Sequence, residues 1–579
     1  MDRKSMLLTL GDVTPAFALD RRRLLQTTGA FAAVVAAAAC GKKDETPAPA
    51  AAGTGSSAAP AASTSSAAAP ATAAQTIPGP PWQGGIRGNK AISLWPDPSF
   101  NFDPPLAVGQ GDYYGLANFY RGLTFPGPNA EPQLDLAEEV VISPDGLTYT
   151  FTLKPGITFH HGRAVTAQDF KWTFERCSSK ALASWVQGFL GSVVGHADFV
   201  SEKAKEISGI VAKDTKTLVL TLTKPDVTIL SVVGIPPFYV LPKEEVERLG
   251  DKFSQNPVGC GPFKLKSWDT GQRVVTMERF PGYLYAAQLP YFDEVQYRYE
   301  VTDDIAYLSV AKNESDLTLA VPQSAIIKIK QDKEQAARFK EWDSFAINWW
   351  TFDLSKAPFN DVRVRKALNH AFNKQGAAGL GFNPTGHFLP PGMMGYDSNA
   401  LIYAYDPDKA RALLKEAGVS NLKFVLPVFS ADNARLAQLL QQDLKAVGVT
   451  VTLEQNQQTP FDIGADLTKK YRMWAMLWGM GLPDPSELVS SLLGTGASTN
   501  FNGYSNPEID RIGLAAVSET DSAKRSAMYA EIEKLLLNDA PFLFLGVGLQ
   551  STFKSAALQN YYFDPVLRTY WDRSWKSVV

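Results

Sequence analysis

Residues 143–176, SPDGLTYTFTLKPGITFHHGRAVTAQDFKWTFER, constrain the fold of this chain more than any other stretch. Ser143-Pro144-Asp145-Gly146 is a turn: Pro pre-sets φ, Asp can bond its own backbone, and Gly is free to take a positive φ. Residues 147–154 then alternate strictly. Leu147, Tyr149, Phe151 and Leu153 fall on one face and Thr148, Thr150, Thr152 and Lys154 on the other, the period of a half-buried antiparallel strand. Pro155-Gly156 turns the chain back, and 157–159 is short enough to be a return strand. His160-His161-Gly162-Arg163 reads as the loop that leaves it. Thr166 then opens a helix, with Asp169 in the position of a capping box and at the favourable end of the helix dipole. Phe170 and Phe174, four apart, would bury one face of that helix.

Hairpin, loop and capped helix in this order resemble the signature of solute-binding protein family 5, the peptide- and nickel-binding receptors of ABC importers. The family's pattern runs roughly DGLTYTFxLRxGVxFHDGxxxTAxDVxxSxxR, and this chain carries DGLTYTFTLKPGITFHHGRAVTAQDFKWTFER. His160-His161 has two readings. As a metal pair it needs a third ligand nearby, and as a loop of this family it needs none.

The first 39 residues read as an address. Asp20-Arg21-Arg22-Arg23-Leu24-Leu25-Gln26 resembles a twin-arginine export motif, and the Ala-rich run at 30–39 is too short to span a bilayer. Cys40, with small residues before it and Gly41 after it, resembles the lipobox of a bacterial lipoprotein, although Ala37 stands where Leu is usual. Lipidation of Cys40 would anchor the protein, because acyl chains contribute about 0.8 kcal/mol per buried methylene. Cleavage without an anchor is the other reading. Residues 44–80 are almost only Ala, Ser, Thr, Pro and Gly, with no aromatic residue to seed a core. This is a tether whose end-to-end reach as a flexible coil is about 30 to 35 Å.

Residues 1–39 carry five basic and three acidic groups, so without them the formal charge moves from -3 to about -5. No basic stripe argues for nucleic acid, and no later apolar segment reaches membrane-spanning length. Roughly 500 residues follow the tether, ample for two or three domains with large cores. Beyond Cys40 only Cys177 and Cys260 remain, readable as a disulfide or as two separate buried thiols.

Along the folded part, a strand is expected at 91–95, and Asp103-Pro104 resembles the step that ends the family's first strand. Residues 109–114 read as a mobile polar and aromatic loop. The family's cleft borders this region, so Tyr113 and Tyr114 are either ligand contacts or packing for the helix that follows. A hairpin is expected at 207–222 around Lys213-Asp214-Thr215-Lys216. Asn256-Pro257-Val258-Gly259-Cys260-Gly261-Pro262-Phe263 resembles the family's NPVGTGPY, where the chain returns from an extra subdomain. Strands follow at 263–268, 272–279 and 295–301, then a helix capped by Thr302 or Asp303. Ala357-Pro358-Phe359-Asn360-Asp361-Val362-Arg363-Val364-Arg365 matches the family's helix opener, with Val364 and Leu368 on its buried face. Asp406-Pro407 starts another helix, and strand 424–429, the helix through 440 and strand 449–453 form a βαβ unit. After Ala540-Pro541-Phe542 an apolar strand should cross back to the first lobe.

The resemblance implies an α/β, periplasmic-binding-protein-like type II fold, with two lobes, a hinge and an extra β-rich subdomain in the first lobe. The expected divisions are an export segment at 1–39 and a tether at 40–80. The first lobe takes 81–125, 258–344 and 548–579, its extra subdomain 126–257, and the second lobe 345–547.

No G-x-S-x-G, H-E-x-x-H or P-loop is present, and the five His residues are scattered. Binding fits better than catalysis, and no cofactor or metal is expected. Trp349, Trp350, Trp474 and Trp478 fall where the resemblance places cleft-lining segments; core packing is the alternative for each. Trp478 begins WGMGLPDP, matching the family's WxADYPDP with Asp484-Pro485 kept. In the family's peptide receptors the Asp of that motif holds the peptide's α-ammonium, and here the position is Gly481. Either another acid serves, or the ligand has no free amino terminus there. Oligosaccharides, opine-like compounds and metal chelates therefore stand beside peptides as cargo. The reading is a monomeric extracytoplasmic receptor, lipid-anchored to a bacterial membrane, that delivers solute to an ABC permease with its ATPase subunits. A periplasmic hydrolase would instead place paired acids in the cleft, and a sensor on the same fold would lack a permease.

Overall fold

The computed structural model describes residues 85–577 apart from 97–99, 108–109, 128–130, 320, 401, 498 and 564–568. The export segment, Cys40 and the tether expected at 40–80 lie outside the described residues. Among the described residues no helix is long and apolar enough to cross a membrane.

Two long strands organise the rest. Phe339–Phe352 and Phe542–Lys554 pair antiparallel inside a nine-stranded sheet; Trp349 to Phe352 and Phe542 to Val547 are buried on both faces, whereas Phe339 to Asp343 are half-buried or exposed. At one end Phe339 to Asp343 pair with Phe553 to Leu549, next to Leu317–Thr318, Lys90–Leu94 and Glu294–Arg298. At the other end Ile347 to Thr351 pair with Val547 to Phe542, next to Met473–Gly479. Register breaks between Asp343 and Ile347 and again between Asn348 and Trp349. A ladder interrupted there bends more easily than a continuous one. The two strands thus run from one lobe into the other, with the irregular stretch between them.

The first lobe packs around Trp95, Phe102, Tyr120, Tyr297 and Trp571, all fully or nearly fully buried. The second lobe has a core on each face of its end of the sheet, one holding Trp349, Trp474 and Phe542, the other Trp350, Phe372 and Leu426. Its helices start as the sequence dictates. The Asp361 side chain accepts from Arg363 N–H to open Val362–Ala371, and Asp406 accepts from Lys409 N–H to open Pro407–Glu416. Lys423–Val428, Ala431–Ala446 and Thr450–Gln455 form a parallel βαβ unit.

The organising stretch builds the extra subdomain, a four-stranded antiparallel sheet under the helix Ala167–Ser178. The strand Thr148–Leu153 puts Tyr149, Phe151 and Leu153 inward. Phe170 and Phe174 meet them from the helix, their rings 6.1 Å apart and edge-on. The Asp169 carboxylate accepts from the Thr166 N–H at 2.8 Å and hydroxyl at 2.9 Å, fixing the helix start. At the other end of the helix Arg176 forks onto Asp103 with bonds of 2.8 and 2.7 Å, which ties the subdomain to the first lobe.

Three local expectations are corrected. Residues 157–159 form no return strand, because both edges of Thr148–Leu153 are already taken by Ala137–Ile142 and Thr217–Thr221. The segment makes only an isolated bridge, Thr158 to Ala164. The loop expected at 109–114 is helical from its second residue, in Gln110–Phe119. Tyr114, Leu116, Ala117 and Phe119 are all buried, and burial around most of a helix hides the period that would reveal it. Asp103-Pro104 does not end the first strand, which stops at Leu94; Asp103 instead precedes the short helix Pro104–Leu106. Cys177 and Cys260 are separate buried thiols, and burial pushes Cys260 up to about 12.

The subdomain core depends on the two phenylalanines. Phe174→Ala is expected to lower unfolding stability by about 3 to 5 kcal/mol, read as a shift of the urea midpoint; an unmoved midpoint would show that this helix face is not part of the cooperative core.

Candidate functional site

The lobes meet away from the hinge as well as at it. Val227 N–H of the subdomain donates to Val517 O of the second lobe at 2.9 Å, and the Ser518 hydroxyl donates to Pro225 O at 2.8 Å. Leu482, in the turn that follows the second-lobe strand Met473–Gly479, is 5% exposed because its side chain enters the subdomain's core. Beside it Trp185 reaches from the subdomain to Gly481: a Cβ on that glycine would stand 2.4 Å from the Trp185 Cη2 and 2.8 Å from its Cζ3. No side chain fits there, so glycine is a requirement of the contact. Trp185 is held by its indole N–H, which donates to Ala107 O at 3.0 Å, and by edge contact with Phe189.

The turn at 480–487 is built around a buried carboxylate. Glu487 accepts from the Trp478 indole N–H at 2.9 Å, the Gly481 N–H at 3.3 Å and the Leu482 N–H at 2.5 Å. Burial nevertheless dominates and pushes its pKa up to about 7, with the three donors opposing and Asp484 adding to the rise. Asp484 is spent elsewhere. It takes two bonds from Arg525, at 2.8 and 2.7 Å, in a pair less than a tenth exposed, and Arg525 also donates to the Tyr529 hydroxyl.

The residues singled out from the sequence separate into two groups. Trp478 is half-buried, 6.1 Å from Phe461, and Tyr113 is half-buried, 6.5 Å from Trp185. Tyr113, through Trp185, and Gly481 border the place where the lobes face each other; Trp478 lies three residues before Gly481 with its own contacts inside the second lobe. Tyr114 packs on Trp95 at 4.5 Å inside the first-lobe core. Trp349 and Trp350 are neighbours on one strand, so they point to opposite faces and enter different cores. Trp349 packs near Phe388 and Phe542, Trp350 near Phe372. Trp474 is fully buried, and together with Trp349 it lines a small cavity of about 10 Å³ in the second lobe. Asp484 serves the second lobe's own packing through Arg525.

His160 is likewise structural: burial pushes it down to about 3, and its Nδ1 accepts the Gly259 N–H at 3.2 Å. Its neighbour His161 contacts Glu244. Among the described residues no group of three His, Cys, Asp or Glu side chains could hold a metal ion.

Sequence reasoning missed Trp185 and Glu487. Trp185 lies in WVQGFLG, an aromatic run outside any periodic element, and Glu487 follows Pro485 closely enough to fold back on the turn before it. Those were the available signals.

The pH dependence of Glu487 follows from its raised pKa. The native state holds a proton that the unfolded chain releases between about pH 4.5 and 7. Stability contributed at this site is therefore greatest below that window, falls as pH rises through it, and levels off above about pH 7. Glu487→Gln should remove that slope, about 1.4 kcal/mol per pH unit at most; parallel melting curves for the two proteins from pH 5 to 8 would refute the assignment.

Residues 131–500 match the model of bacterial extracellular solute-binding proteins, family 5. The chain is 26% identical over 490 residues to a dipeptide-binding protein of Escherichia coli strain K12, covering 78% of this chain and 87% of that protein. It is 28% identical over 471 residues to the glutathione-binding protein GsiB of Pectobacterium atrosepticum, covering 77% and 86%. The solved structure of HbpA2 from Haemophilus parasuis superposes with a TM-score of 0.74 at 19% identity, over 85% of this chain and all of that one. With its two lobes, its paired crossing strands and a family match that spans most of the folded part, the chain belongs to the family 5 bacterial extracellular solute-binding proteins.

Proposed function

We propose that this receptor captures a peptide, or a solute of similar size, between its lobes and hands it to an ABC permease driven by its ATPase subunits. The observation that carries this reading is the pair of strands, Phe339–Phe352 and Phe542–Lys554, that cross between the lobes with their register broken midway. Two irregular crossings permit rigid lobes to open and close on a ligand. Aromatic side chains, Tyr113 and Trp185 from one lobe and Trp478 with Phe461 from the other, supply walls of the kind that enclose small solutes. The names of the relatives, which bind dipeptides or glutathione, support the size class. The lobe and subdomain borders expected from the sequence belong to the same proposal.

The protein works as a monomer on the extracytoplasmic face of the membrane, exported through its twin-arginine-like leader and held by lipid on Cys40. The tether at 40–80 gives the folded part room to reach a permease beside its anchor. Binding is its whole task, and energy for transport comes from the partner ATPases.

Native mass spectrometry of the protein purified from its bacterial host, followed by denaturation, tests the cargo. A released peptide series or another discrete mass of that size is expected, and steady turnover of the released compound would favour a hydrolase instead. Trp478→Ala should weaken binding of the released compound at least tenfold by calorimetry, about 1.4 kcal/mol; unchanged affinity would remove Trp478 from the site. For the anchor, Cys40→Ala should move the protein from the membrane to the soluble fraction, and a variant that stays with the membrane argues against lipid on this residue.

A further inference from the structure

We infer that Trp185 and Gly481 together set the chemical class of ligand at this end of the cleft: the group seated beside them is uncharged, as in an amino-blocked peptide or a solute without a primary amine. The inference rests on the interlobe binding site proposed above and narrows what that site accepts.

Three observations carry it. First, the two carboxylates of the 480–487 turn are committed. Glu487 is ringed by the Trp478, Gly481 and Leu482 N–H donors, and Asp484 is closed by two bonds from Arg525. Recruiting either for a ligand ammonium would strip buried donors or a buried guanidinium of its partner, and that penalty exceeds what one new ammonium–carboxylate pair contributes. Second, position 481 cannot regain an acid of its own while Trp185 is in place, because even a Cβ would lie 2.4 Å from the ring. Third, Trp185 is fixed. Its N–H is bound to Ala107 O, Phe189 packs against it, and it presents the Cη2–Cζ3 end of the indole toward Gly481. The rim of an aromatic ring carries the positive part of its quadrupole, so this end of the indole repels an ammonium rather than attracting it. An amine brought here would lose its water, and neither carboxylate of the 480–487 turn is open to pair with it.

The contact also excludes by shape. Leu482, next in the chain, is inserted into the subdomain core, so the turn cannot swing away from Trp185 without withdrawing a buried leucine. Specificity of this kind comes from a repulsive element against the wrong ligand as much as from attraction to the right one.

Calorimetry on the full protein with Ala-Phe-Ala and its N-acetyl form tests this. The wild type is expected to bind the acetylated peptide at least tenfold more tightly than the free amine. Trp185→Ala should shrink that preference, and Trp185→Ala/Gly481→Asp should reverse it by restoring both space and charge; melting curves establish that each variant is folded. Equal wild-type affinity for the two forms overturns the inference while leaving the receptor reading intact. A wild type silent to both forms, with a folded double variant that binds the free amine, upholds the inference and removes peptides from the proposed cargo. Silence of both proteins toward both forms counts against the inference and the peptide-sized cleft together.

Discussion

The antiparallel ladder between Phe339–Phe352 and Phe542–Lys554 is the interaction on which the rest of this structure depends. Its two ends belong to different cores, so every hydrogen bond in it joins either the first lobe to itself or the second lobe to itself. Only the stretch between Asp343 and Ile347, where register is lost, belongs to neither. The two-residue strand Phe382–Asn383 pairs with Gly548 and Val547 there, Ser344 gives its hydroxyl to Gly548 O, and Asn383 donates to Asp343 across the same region at 2.8 Å. Side-chain bonds of this sort adapt to a change in angle more readily than a backbone ladder. Bending is thereby confined to a few residues, and the cores on either side can stay close-packed while the lobes move.

Rigidity of the two facing surfaces is the complement of that hinge. On the first-lobe side the capping of Ala167–Ser178 by Asp169 and the Arg176–Asp103 fork fix the subdomain from which Trp185 projects. On the second-lobe side the Asp484–Arg525 pair and the Glu487 donors fix the turn that carries Gly481. A binding surface assembled from two lobes binds tightly only if neither has to be ordered at the moment of closure. Both halves of the proposed one are ordered by bonds within their own lobe.

Much of this was legible in the sequence because it is local. The strand Thr148–Leu153 follows from strict alternation, the helix Ala167–Ser178 from its Thr166 and Asp169, and the helix at Pro407 and the βαβ unit after it from caps and period. The family signature then supplied the order of lobes, which no local rule contains. Failure came where tertiary contact decides. Nothing in LKPGITF tells that the neighbouring strand edge is already occupied by Thr217–Thr221, and nothing around Tyr114 shows that most faces of its helix are buried. Trp349 and Trp350 attracted attention as a pair, yet adjacency on a strand guarantees that they part. At the site, Trp478 was visible as a motif residue and Gly481 as a departure from it. Trp185 was invisible because its partner lies far along the chain, and Gly481 marks a contact only when the ring above it is known.

The two carboxylates of this turn explain why glycine at 481 does not loosen it. Asp484 orders the turn from the second-lobe side through Arg525, and Glu487 orders it from within by gathering the N–H groups of Trp478, Gly481 and Leu482. A carboxylate at 481 would add negative charge within the same small volume, where burial and Asp484 already push Glu487 up to about 7. Arg525 is the cation bonded to this turn and Asp484 already occupies it, so that charge would be stable only when a ligand brought a cation of its own. Glycine removes the demand for a cationic ligand and frees the space that Trp185 fills. A charged side chain at 481 and a seated indole are therefore alternatives, because the ring and a side chain at 481 cannot occupy the same position.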